Sequence, residues 1–302
     1  MKVVIAGGTG FLGQPLARAL AGDARDVVVL TRQTAVRTEW QRARFVGWNP
    51  GDRGGAWTRE IDGAGAVVNL AGASIAAKRW SEEQKRRILD SRIDATRALV
   101  EAIRAASRPP AVFVSGSAVG YYGPQGDQIV TETQPAGSDF LATVCQQWEA
   151  EAHGADAVTR VACIRTGLAL EKDGGALPQI MMPFKFGAGG PLGSGRQYWP
   201  WIHRDDWIAL VRWTIDTASA SGPINATAPN PVTNAEFTRE LGRAMHRPAF
   251  MPAPAFALRL VLGEMADGLL LSGQRAVPAT AESLGFTFKY TNVGEALRAI
   301  VN

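Results

Sequence analysis

The chain has 302 residues, 46% hydrophobic and 20% charged, with 32 Lys and Arg against 28 Asp and Glu for a formal net charge of +4. This is the composition of an ordinary globular protein of one large domain or two modest ones, and it excludes intrinsic disorder as the main state. The charges are interspersed, and the densest basic run, Lys85-Arg86-Arg87, reads as a solvated helix face, so a pI of 9.3 without a recognised module points to no nucleic-acid partner.

The first 170 residues alternate short apolar runs with helical stretches. Residues 3–6, 27–30, 66–70, 111–115 and 160–164 are rich in Val and Ile and read as buried parallel strands. Helices are predicted over 11–20, 81–107 and 138–153. Ser81 with Gln84 forms a capping-box pattern, and Pro109-Pro110 stops the longest helix. Such alternation implies an α/β fold with a Rossmann-type doubly wound parallel sheet. Gly and Pro become frequent from 174 to 200. Helices are then expected over 205–216, from Thr233 with its box partner Glu236, over 256–271 and after Asn292, with a strand at 286–290. The expected organisation is a sheet domain over 1–225, with substrate-lobe insertions after 170, and a small C-terminal domain over 226–302.

Two cysteines, Cys145 and Cys163, are too few for a disulfide framework and suit a reducing compartment. The apolar run before Gly7 is too short for a secretory signal. The 256–271 stretch is broken by Arg259, Glu264 and Asp267, so it does not span a bilayer. A cytoplasmic protein with no membrane partner is expected. No His, Cys, Asp and Glu cluster has metal-ligand spacing.

The strongest local signal is Gly7-Gly8-Thr9-Gly10-Phe11-Leu12-Gly13, set between a strand and a helix. Glycines permit a tight turn and close approach of a pyrophosphate, and the helix N-terminus offers unpaired N–H groups and partial positive charge. A mononucleotide P-loop is excluded, because Gln14 and Pro15 stand where Lys and Ser/Thr are required. At the end of the second strand, an NAD binder places a carboxylate for the ribose 2′-OH. Here Thr31-Arg32 occupies that position, and the Arg32 guanidinium suits a 2′-phosphate, so NADP is expected over NAD.

Asn69-Leu70-Ala71-Gly72, the run from Ser115 through Ser117, Tyr121 and Tyr122 to Gly123, and Trp201-Ile202-His203-Arg204-Asp205-Asp206 complete a recognisable set. With the glycine turn, they resemble the extended short-chain dehydrogenase/reductase superfamily, the NAD(P)-dependent epimerase/dehydratase group. Residues 140–149, 189–195 and 273–286 resemble an atypical subfamily carrying an extra C-terminal domain of unknown function. The resemblance implies that Gly7, Thr9, Gly10, Phe11, Leu12, Gly13, Leu70, Ala71, Gly72 and Ser115 line the cofactor. It places Arg92 either on the cofactor or on the helix surface. It also implies a small-molecule substrate, a nucleotide sugar among the candidates, and a homodimer through the two long helices of the sheet domain.

Typical members of this superfamily use Ser, Tyr and Lys. Ser117 fits the first role, but aligning 145–149 on the usual Lys-x-x-x-Glu puts Leu141 in the Tyr position and Cys145 in the Lys position. Neither can do the work, since Leu carries no proton and Cys no fixed positive charge. Tyr121 or Tyr122 is a substitute acid or a pocket-edge residue. His203 is a substrate ligand or proton shuttle, and Asp205 and Asp206 are helix caps. Two functions stay open: an NADP(H)-dependent epimerase-like oxidoreductase with unconventional acid–base groups, and a catalytically silent NADP(H)-binding sensor.

Overall fold

A computed structural model describes residues 1–32 and 43–302. The first half contains β1 (Lys2–Ala6), α1 (Gly13–Gly22), β2 (Asp26–Thr31), β3 (Ala43–Gly47), α2 (Thr58–Ile61), β4 (Ala66–Asn69), α3 (Glu82–Ala105), β5 (Val112–Ala118), β6 (Ile129–Val130) and α4 (Phe140–His153). There follow β7 (Arg160–Thr166), β8 (Leu168–Leu170), α5 (Leu177–Lys185), β9 (Tyr198–Trp199), β10 (Trp201–His203), α6 (Arg204–Asp216) and β11 (Gly222–Ala226). The chain ends with β12 (Val232–Thr233), α7 (Asn234–Met245), α8 (Ala255–Leu262), α9 (Glu264–Ala266), β13 (Arg275–Ala276), α10 (Ala279–Ser283) and α11 (Val293–Val301).

Seven strands form one parallel sheet in the order β11-β7-β5-β4-β1-β2-β3. The order reverses between β1 and β4, which is the switch point where α/β sheets open a crevice at their carboxyl ends. Both faces are covered, so the strands carry near-continuous apolar runs. Val3 and Ile5 pack beneath α1 and α6, while Val4 and Ala6 face Leu99 and Ile103 of α3. A third cluster joins Phe184 of α5, Trp199, Phe237 and Leu241 of α7, and Leu297 of α11.

The doubly wound sheet and the main helices match the sequence-based expectation, and several details do not. Strands β3 and β11 were not expected. Ala43–Gly47 is an edge strand with no buried residue, and Gly222–Ala226 contains Gly, Pro and Asn, which read as a turn. Both form because the sheet edge supplies a hydrogen-bonding partner, which overrides weak local propensity. The expected 256–271 helix breaks at Gly263, whose φ of 64° lies in the left-handed region. The expected 286–290 strand is irregular. Phe286 packs on Trp213 with ring centroids 5.4 Å apart, and the amides of Lys289 and Tyr290 donate to the Asp206 carboxylate at 2.8 and 2.9 Å. Asp206 therefore binds this segment, and neither it nor Asp205 caps α6.

The cap is His203. Its Nδ1 accepts the Asp205 amide at 3.0 Å, and its ring stacks on Tyr290 with centroids 4.0 Å apart. A ring nitrogen that accepts is unprotonated. Burial holds the His203 pKa below the ordinary 6.5, although Asp205, Glu171 and Asp206 favour the charged form. As pH falls through 6.5, the unfolded chain binds a proton that the folded ring resists, so stability decreases. Denaturant unfolding at pH 7.5 and 5.5 is expected to show a smaller acid loss in His203→Gln than in the unaltered protein. Equal losses would contradict this linkage.

Candidate functional site

The glycine turn is held by contacts that exclude side chains. Gly7 has φ 77°, and a Cβ there would lie 2.6 Å from the Leu70 carbonyl carbon at the end of β4. A Cβ on Gly13 would lie 2.2 Å from the Gly7 carbonyl oxygen. The turn closes through the Gly10 amide donating to that same oxygen at 3.0 Å, and α1 begins with Gln14 donating to Gly10 at 2.9 Å. Thr9 and Gly10 remain exposed. The amides of Phe11, Leu12 and Gly13 make no hydrogen bond to any described residue. Three adjacent unpaired donors at a helix N-terminus suit a phosphate group. The Phe11 ring itself lies against Gly174 and Gly175, with the Arg204 guanidinium 5.4 Å from its centroid.

Arg32 follows β2 directly, is exposed, and makes no hydrogen bond or ion pair among the described residues. Leu70, Ala71 and Gly72 form the facing wall. The Leu70 amide donates to Ala6, and Asn69 Oδ1 accepts the Ala71 amide at 3.1 Å while its Nδ2 donates to Thr96 at 2.9 Å. From α3, Ser91 Oγ accepts the Ala73 amide at 2.9 Å and Arg92 Nη1 donates to the Ala73 carbonyl at 3.1 Å. Arg92 lies under this wall: a Cβ on Gly72 would sit 3.2 Å from its Cγ, and its guanidinium is 5.1 Å from the Trp148 ring centroid. Burial draws its pKa down, and no carboxylate pairs with it among the described residues. Its Nε and Nη2 have no partner there either.

At the carboxyl ends of β5 and β7 the side chains form a buried polar network. Ser117 Oγ donates to Glu149 Oε1 at 2.6 Å, and Arg165 grips Glu149 with two bonds of 2.8 Å. Arg165 Nη1 donates to the Tyr122 hydroxyl at 2.9 Å, which donates to Asn225 Oδ1 at 2.7 Å. Glu132 accepts the Asn225 amide at 2.9 Å and the Thr280 amide at 3.2 Å, tying the network to the C-terminal residues. Tyr122 is fully buried, and burial outweighs Arg165 to push its pKa up to about 12. Tyr121 is half-buried and lies against Arg165, whose guanidinium carbon is 3.5 Å from its ring centroid.

The structure thus brings Ser117, Tyr121, Tyr122, Gly72 and Arg92 to one end of the sheet. Two expected residues lie elsewhere. Ser115 is fully buried and its Oγ donates to the Gly116 carbonyl at 3.3 Å, so its side chain does not line the crevice. His203 belongs to the α6 cap. Leu141 packs over Gly120, and burial pushes the Cys145 thiol up to about 11. Glu149 stood in the Lys-x-x-x-Glu alignment without an assigned role, and Arg165, Glu132 and Asn225 had no motif to reveal them. For Arg165 the one signal was a charged residue directly following the apolar run 161–164. Among the described residues no three metal-ligating side chains converge. Removing one partner of a buried ion pair leaves the other uncompensated, so Arg165→Met is expected to cost about 3–5 kcal/mol in urea unfolding. The double variant with Glu149→Met should recover part of that loss. Equal destabilisation in both would contradict a paired network.

These features have counterparts in known proteins. The model of the NAD dependent epimerase/dehydratase family matches residues 3–226, and a domain of unknown function, DUF1731, matches residues 253–300. The chain is 43% identical over 304 residues to the epimerase family protein SDR39U1 homolog, chloroplastic, of Arabidopsis thaliana, covering 100% of this chain and 87% of that one. It is 39% identical over 303 residues to epimerase family protein YfhF of Bacillus subtilis, covering 100% and 98%. The crystal structure of human epimerase family protein SDR39U1 (isoform 2) with NADPH superposes with a TM-score of 0.91 at 32% identity, covering 100% and 99%. MoeE5 in complex with UDP-glucuronic acid and NAD shares the fold, with a TM-score of 0.81 at 19% identity over 100% and 98% of the two chains. The chain belongs to the NAD-dependent epimerase/dehydratase family and carries the DUF1731 region at its C-terminal end.

Proposed function

We propose that this protein is an NADP(H)-dependent epimerase-like oxidoreductase acting on a polar small molecule, with a nucleotide sugar as the first candidate. The observation that carries the reading is the row of unpaired amides at Phe11, Leu12 and Gly13 beside the exposed Arg32. The amides hold the diphosphate, and Arg32 takes the 2′-phosphate in a charge-assisted contact. NADPH in the similar human protein supports the choice of coenzyme. Leu70, Ala71 and Gly72 pack its ribose and nicotinamide side, and Arg92, which lies against Gly72 with Nε and Nη2 unpartnered among the described residues, would supply donors to it. When bound, the coenzyme supplies hydride transfer at its nicotinamide ring.

Among the tyrosines, Tyr121 is the better candidate for proton transfer. Tyr122 already donates to Asn225 and accepts from Arg165, and its raised pKa opposes ionisation. Ser117, whose proton is committed to Glu149, can still accept a hydrogen bond from substrate. The network orients Tyr121 through Arg165 and excludes water behind it.

The second reading, a silent NADP(H)-binding sensor, rests on Leu141 and Cys145 standing where acid–base groups are usual. Hydride exchange separates the two. Stereospecific loss of label from 4-labelled NADPH with nucleotide sugars or related carbonyl compounds, abolished by Tyr121→Phe, supports the enzyme. Tight NADPH binding without exchange across a broad panel supports the sensor. Arg32→Ala is expected to weaken NADPH binding by about 1–3 kcal/mol, the range for a charge-assisted contact, with NADH little changed in fluorescence titration. Equal loss for both coenzymes would contradict the 2′-phosphate role.

A further inference from the structure

Seven of the eleven exposed large apolar side chains among the described residues fall in two neighbouring segments, 182–186 and 250–261. They do so because the chain brings those segments together. The Met251 amide donates to the Gly189 carbonyl at 3.0 Å, the Ala253 amide donates to Pro191 at 2.9 Å, and a Cβ on Gly190 would meet Met251 backbone at 2.2 Å. Directly after Pro254 comes α8, which has no buried residue at all. Phe186, Phe250, Phe256, Leu260 and Val261 are 79%, 73%, 74%, 77% and 65% exposed. Isolated exposed apolar residues need no explanation, but a cluster this dense marks a contact surface.

The rim of this cluster is basic. A groove of about 610 Å³ opens at the end of α7, lined by Arg239, Arg243, His246, Arg247 and Phe250. Lys185 is also exposed at the end of α5. Arg239, Arg247 and Lys185 make no ion pair among the described residues, whereas Arg243 pairs with Glu240. Of the nearby acidic groups, Asp267 is engaged by Arg259, Glu264 by Lys85 and Glu240 by Arg243, and Glu236 faces Arg239, which leaves Arg247 and Lys185 as the uncompensated cations of the rim among the described residues. Positive charge therefore adjoins the apolar cluster where Phe250 lines the groove with Arg247 and at Lys185 beside Phe186.

We infer that this face is a docking surface for an anionic bilayer, with Phe256, Leu260 and Phe250 entering the headgroup boundary and the arginines meeting lipid phosphates. Apolar insertion combined with cationic attraction is the physical basis of interfacial binding. Of the five most exposed apolar side chains only Phe250 lines that groove, whereas a peptide ligand requires a groove that encloses its anchors. A second copy related by a two-fold axis would bring the same arginines against each other, and like charges oppose that contact. Among the described residues no helix is long and apolar enough to cross a membrane. Surface docking needs no such span.

Sedimentation of the full chain with vesicles tests this. Binding is expected to vesicles of phosphatidylcholine containing a third phosphatidylglycerol, not to phosphatidylcholine alone, and to weaken as salt is raised. Leu260→Asp and the pair Arg239→Glu with Arg247→Glu should each lower binding by about tenfold or more, at unchanged melting temperature and NADPH affinity. Phe256→Ser provides an independent apolar variant. Absence of sedimentation with anionic vesicles, or equal sedimentation of the variants, overturns the inference. So does dimerisation in ultracentrifugation, or capture of an acidic apolar peptide, that Leu260→Asp abolishes while vesicle binding is absent.

Discussion

The backbone of the first turn touches the backbone of the fourth strand, and the site follows from that contact. Gly7 lies so close to Leu70 and Ala71 that a methyl group would overlap both. Gly13 lies equally close to Gly7. These approaches set the start of α1 at the sheet's switch point and leave its first amides facing the crevice. Any side chain at either position would push α1 away from β4. The unpaired amides at the start of α1 and the wall formed by Leu70, Ala71 and Gly72 would then separate.

The other end of the crevice is organised differently from the usual pattern of the superfamily. Proton transfer there normally relies on a tyrosine with a lysine one helical turn away. In this chain α4 presents Leu141 and Cys145, and the positive charges come from elsewhere: Arg92 from α3 and Arg165 from β7. Arg165 is locked by Glu149 and lies against Tyr121, whereas the hydrogen bonds of Arg92 to described residues go to two carbonyls and leave donors to spare. A half-buried guanidinium without a carboxylate gives up part of its hydration, so its retention makes sense where an anionic or polar ligand offsets that loss.

Much of this was legible in the sequence, and the limits have physical causes. The strand–turn–helix context of residues 3–20 reports backbone requirements that only glycine meets, so the tight turn before α1 was readable. Ser81, Thr233 and Asn292 cap helices as expected, because capping is a local interaction; each accepts the amide three residues on. In Gln84 the side chain bonds Ser74 instead of returning to the cap, a tertiary choice invisible in spacing. The Glu149–Arg165–Tyr122–Asn225 chain joins residues up to 103 positions apart, and no periodicity records such a contact. His203 was read as a site residue by its titration range. Its role at the α6 cap depends on Tyr290, which only the fold brings near.

The most direct measurement is calorimetric titration of the purified protein with NADPH and NADH. The account predicts saturable one-to-one binding of NADPH, tighter than NADH because only the former carries the 2′-phosphate for Arg32. Failure to detect heat from either coenzyme at millimolar concentration would contradict it.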